Sequence, residues 1–173
     1  MNARAGATLL VALTLIACSA PLPAGSPATA DGVRVTVPPG WEARFVSPGE
    51  MGRLHQLGWL ANQRLDPACD PLSCTDPIER LDPSGVLVGW FSYNCLPNCQ
   101  LDDEGRTMIG GREASRRRAS GECGSLAAAS SELIMVRVSP QRTDILVACA
   151  GSDAGPGLDA LEDLLASIRW TVP

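Results

Sequence analysis

The chain has 173 residues, with 14 basic and 19 acidic side chains, a formal net charge of −5, 45% hydrophobic residues and seven cysteines. Every basic side chain is arginine, which excludes lysine chemistry such as a Schiff base or a phosphate-loop ammonium. The acidic balance argues against nucleic acid and anionic lipid headgroups as partners, and the wealth of Ala, Gly and Pro without lysine suggests a high-GC bacterial genome.

The N-terminus opens with Arg4 and an uncharged run from Ala5 to Ala17. A membrane-spanning helix needs about 20 apolar residues. This run is shorter and fits the apolar region of a secretory signal, about 7–15 residues long. It stops at Leu15-Ile16-Ala17-Cys18. That tetrapeptide resembles the lipobox of bacterial lipoproteins: a branched apolar residue, a tolerant position, a small residue, then cysteine. The resemblance implies that residues 1–17 are a signal peptide and that the Cys18 thiol receives a diacylglyceryl group. Cys18 then becomes the first residue of the mature chain. Two acyl chains anchor stably where one is marginal. An ordinary secretory signal cut near Ala20 or Ala24 is the alternative for the same run. Either removes Arg4 and makes the chain more acidic. Residues 18–30, rich in Pro, Ala and Ser, read as a lipidated cysteine and an extended, solvated tether. A single globular domain is expected over residues 31–173, long enough for its own core.

Within that domain, Val33, Val35 and Val37 alternate with polar residues and predict a half-buried strand ended by Pro38-Pro39-Gly40; residues 41–46 predict a second. Residues 47–50, Ser-Pro-Gly-Glu, look like a helix capping box, but Gly52 and Gly58 weaken a helix, and Leu57, Trp59 and Ala61 alternate as a strand does. A strand over residues 54–61 is therefore favoured. Residues 74–81, CTDPIERL, predict a short helical turn capped by Asp76, and Asp82-Pro83-Ser84-Gly85 a turn. Residues 85–93, GVLVGWFSY, are apolar on both faces and predict a strand in mid-sheet. Next come a strand at TMI, a Gly110-Gly111 bend and a partly exposed strand through Arg116-Arg117-Arg118. ELIMVRV and TDILVACA read as a hairpin with a four-residue loop, Ser139 to Arg142. Gly157 to Trp170 predicts an amphipathic helix with a stripe of Leu158, Leu161, Leu164, Leu165 and Ile168.

Apart from Cys18, six cysteines remain, an even number that reads as a disulfide frame in an exported chain. Spacing favours Cys69–Cys74, Cys95–Cys99 and Cys123–Cys149, although six cysteines allow 15 pairings. The alternative is a four-cysteine zinc site from Cys69, Cys74, Cys95 and Cys99. The expected fold class is α+β: an antiparallel sheet, disulfide-stapled, with a C-terminal helix on one face. VTVPPGW and the closing helix resemble PsbP-like α+β domains. IGGREA, a following cysteine, ILVAC with its glycine, and LLASIRW resemble an uncharacterised group of lipoproteins from high-GC Gram-positive bacteria. Neither likeness implies an activity or site residues.

Chemistry-bearing patterns are sparse. His55, the one histidine, lies between apolar neighbours, and no Gly-x-Ser-x-Gly elbow is present. A Ser-His-Asp arrangement would need His55, with no nucleophile indicated beside it. Asp102-Asp103-Glu104-Gly105 lacks the ligand spacing of a calcium loop. Arg116 and Arg118 share one strand face, enough for a phosphate or carboxylate contact; an exposed face paired with Glu113 or Glu122 is the favoured expectation. Trp41, Trp59, Trp90 and Trp170 sit in apolar patterns and are expected in the core. No catalytic residue, metal ligand or cofactor is assigned. The expectation is a lipid-anchored extracytoplasmic domain of the cell envelope that binds a protein or small-molecule ligand without catalysis. An envelope hydrolase or ligand-processing enzyme is the alternative.

Overall fold

The computed structural model describes residues 25–45, 53–69 and 77–171. Its order is β1 (Pro27–Ala30), β2 (Val33–Thr36), β3 (Glu42–Phe45), β4 (Leu54–Ala61), β5 (Val86–Asn94), β6 (Arg106–Ile109), β7 (Arg112–Arg118), β8 (Ser130–Ser139), β9 (Arg142–Ala150), α1 (Gly155–Ser167) and β10 (Arg169–Trp170). A seven-stranded sheet runs β3-β4-β5-β9-β8-β7-β6, and a small sheet runs β1-β2-β10. Neighbouring strands pair antiparallel throughout. The fold is α+β, as composition and periodicity predict, with two cysteine pairs joined: Cys95–Cys99 and Cys123–Cys149.

The large sheet has two unlike faces because side chains alternate along each strand. On the inner face, Val86, Val88 and Trp90 of β5 pack with Leu146 and Ala148 of β9. They meet Val33 and Val35 of β2 and Leu161, Leu164 and Leu165 of α1, and this is the main core. On the outer face, Trp59, Ala61, Leu87 and Cys149 form a smaller core with Leu65, Ile78, Leu81 and Leu126 from the loops. The Cys123–Cys149 bridge holds the short 3-10 turn Gly124–Leu126 against β9. β5 lies between β4 and β9, in mid-sheet as its two-sided apolar pattern requires.

Four local expectations are corrected. Ordered structure begins before Asp31: β1 lies within the segment read as tether, and Asp31 and Gly32, both at positive φ, turn it into β2. Ala28 and Ala30 are buried there, so small side chains lost the alternation signal. Residues 77–80 are bends rather than a helical turn; 74–76, Asp76 included, and the capping box at 47–50 lie outside the described residues. The β8–β9 loop is two residues, Pro140-Gln141, with a bulge in β8 between Arg137 and Ser139 taking up the difference.

The helix runs Gly155–Ser167 rather than Gly157–Trp170. Ile168 turns extended, and Arg169 and Trp170 pair with Arg34 and Val33 instead. Leu158, in the predicted stripe, is 39% exposed. No helix among the described residues is long and apolar enough to cross a membrane.

Candidate functional site

The described residues cover the outer face of the large sheet only in part. Trp59, Gly89, Val147 and Leu133 lie opposite one another across β4, β5, β9 and β8. Phe91 and Ile145 form the next row on one side, Leu87 and Cys149 the row on the other. The loops bearing Pro77, Leu126 and Glu122 wall one end, and Leu54 lies toward the other. Between them is a trough of about 310 Å³. Gly89 shapes its floor. A methyl there would stand 3.1 Å from the Phe91 ring and 4.0 Å from Trp59, so the missing side chain leaves the hollow. Phe91, Leu133, Ile145 and Val147 remain half-buried, apolar surface that water must wet when the trough is unfilled. Small-molecule sites typically offer about 300–1,000 Å³ of mostly apolar lining with few polar groups. This trough falls at the small end of that range.

A second constellation lies on the inner face and is polar. Asp144 in β9 is fully buried. It accepts from Arg142 Nε at 2.8 Å, from the Trp170 indole N–H at 3.0 Å and from the Trp90 indole N–H at 3.4 Å. Arg142 also donates to the Asp31 backbone carbonyl at 3.0 Å and lies 2.9 Å from its carboxylate. His55 Nε2 is 3.6 Å from that same carboxylate. Ser92 stands directly between His55 and Asp144 in cross-strand register. So a hydroxyl, an imidazole and carboxylates do converge, which spacing along the sequence could not reveal. Ser92 is nevertheless 0% exposed, and neither its Oγ nor His55 Nδ1 has a hydrogen-bond partner. A nucleophile must reach both its base and a substrate carbonyl; in this fold the hydroxyl reaches neither. The cluster instead ties the β1–β2 turn and β10 to the large sheet.

The other predicted positions fall as follows. Cys18 and Cys74 lie outside the described residues. Cys69 is disulfide-bonded. The Cys95–Cys99 bridge removes two of the four thiolates that the zinc alternative needed. Arg116 and Arg117 do point to opposite faces, but their partners are not Glu113 or Glu122. Arg116 is held by Glu132 at 2.8 Å and Glu162 of α1 at 2.7 Å, and Arg117 by Asp102 at 2.8 Å. Trp41, Trp59 and Trp90 are core residues, and Trp59 also lines the trough. Asp103 of the acidic turn pairs with Arg106.

Comparison of the chain with known protein families, with curated proteins and with solved structures finds no match.

Proposed function

We propose that this chain is an extracytoplasmic lipoprotein, anchored through a lipid on Cys18, whose domain binds an apolar ligand or partner segment without chemically altering it. The observation that carries the binding reading is the trough over Gly89, an apolar hollow set on a rigid sheet rather than on loops. The buried state of Ser92 favours binding over processing. The anchor rests on Leu15-Ile16-Ala17-Cys18. With β1 beginning at Pro27, the chain between Cys18 and Gly25 spans at most about 25 Å, which keeps the start of the domain close to the bilayer.

Two experiments test the two halves. Cys18→Ala is expected to leave the precursor unprocessed and unlabelled by a fatty-acid probe; maturation to the same size with membrane partitioning overturns the anchor. For the site, an environment-sensitive apolar dye, N-phenyl-1-naphthylamine, is expected to bind saturably with one site per chain. Non-saturating uptake, or uptake unchanged when Val147→Arg places a charge in the trough, overturns it.

A further inference from the structure

Resting on the reading of the trough as an apolar binding site, we infer that its ligand is an amphiphilic cation: an apolar body seated over Gly89 and a positive head at Glu122. Among the described residues that line the trough, Glu122 is the one that ionises. It is exposed at the rim and has no ion pair among the described residues. The basic groups that share this sheet face are already engaged within the fold, with Arg44, in register with Trp59, donating to the backbone carbonyls of Asp66 and Cys69. Arg117, in register with Leu133, pairs with Asp102, and Arg137 pairs with Glu113. An anionic head therefore meets a carboxylate at the rim, and no guanidinium lines the trough among the described residues. A neutral ligand that covers Glu122 strips water from a charge without replacing it. A cation both compensates Glu122 and gains from the aromatic surfaces of Phe91 and Trp59 beside the hollow. The acidic balance of the whole chain, −5, favours the approach of the same sign of ligand.

The probes are n-decylamine, n-decanol and n-decanoate, which share a chain and differ in the charge of the head. Each is titrated against the dye on the purified full chain. An exposed charge pair contributes up to about 1 kcal/mol, or roughly five-fold in affinity. The amine is therefore expected to displace dye about three- to five-fold better than the alcohol, with the carboxylate weakest. The ratio is expected to shrink at about 1 M salt, where the screening length falls to about 3 Å. Glu122→Gln is expected to bring amine and alcohol together, weakening the amine and relieving the alcohol of the cost of covering a charge. Equal affinities for the three heads, or a preference that survives Glu122→Gln, overturns the cationic ligand and leaves the apolar site standing. Failure of all three to displace the dye removes the apolar site itself, and the cationic ligand with it.

Discussion

At the scale of single residues, the Asp31–Arg142–Asp144 cluster is where the domain commits most to one side chain. Asp144 is wholly buried and depends on Arg142 and two indole N–H groups for compensation. Breaking a buried pair strands the surviving charge, at about 3–5 kcal/mol. Arg142→Ala, which strands the buried Asp144 carboxylate, is expected to lose that much in urea unfolding. Replacing Arg142 and Asp144 together by leucine is expected to lose less than the sum of the single changes, since neither charge is left behind; a simple sum contradicts the buried pair. The β6–β7 turn offers a sharper contrast. Gly110 and Gly111 both lie at positive φ, 54° and 81°. A methyl on Gly110 would meet the Ile168 carbonyl and the Trp170 ring at 2.5 Å, whereas one on Gly111 meets nothing within 4 Å. Gly111→Ala is expected to cost about 1 kcal/mol of backbone strain, and Gly110→Ala measurably more in the same assay, because β10 must shift as well.

At the scale of elements, α1 docks through a leucine stripe and one charged clamp, Arg116 with Glu132 and Glu162. Hydrogen bonds from Arg116 hold the Glu162 carboxyl below its ordinary value, against a smaller opposing effect of burial. Because the folded value is the lower one, this contribution is full above the ordinary carboxylate range and fades as pH falls through the lowered value. Glu162 is 57% exposed, so solvent screening keeps the effect under about 1 kcal/mol. Glu162→Gln is expected to reduce stability at pH 7 and to have little effect at pH 3, read from urea midpoints; an equal loss at both values contradicts the clamp. The elements were largely legible in the sequence. Alternation marked β2, β4, β8 and β9, and the two-sided apolar run marked β5. What escaped was set by distant partners. β1 is a run of small residues recognisable only through its pairing with β2, although Asp31-Gly32 is itself a hairpin-turn pair. The helix stops early because Trp170 is claimed by Asp144 and β2. The trough was hidden for a related reason. Leu87, Phe91, Ile145 and Val147 read as buried strand residues, and nothing local says that Phe91, Ile145 and Val147 stay half-exposed.

At the scale of the whole molecule, the covering loops are stapled. Cys123–Cys149 closes a separation of 26 residues, against 4 for Cys95–Cys99. On the loop-entropy account the longer closure restrains the unfolded chain more, by about 1.5 kcal/mol. Removing Cys123 and Cys149 together is therefore expected to lower the melting temperature further than removing Cys95 and Cys99. The reverse order contradicts the ranking. Since Cys149 and Leu126 line the trough, the first pair is also expected to weaken dye binding, and the second to leave it unchanged. The central claim is that the hollow over Gly89 is a binding site. Gly89→Val tests it most directly, because it fills the floor with a side chain that strands favour and needs only the half-buried Phe91 ring to yield. The predicted result of an N-phenyl-1-naphthylamine titration is one saturable site on the native chain and none on Gly89→Val, with the melting temperature held or raised. Saturable binding of equal affinity to a fully folded Gly89→Val chain would contradict it.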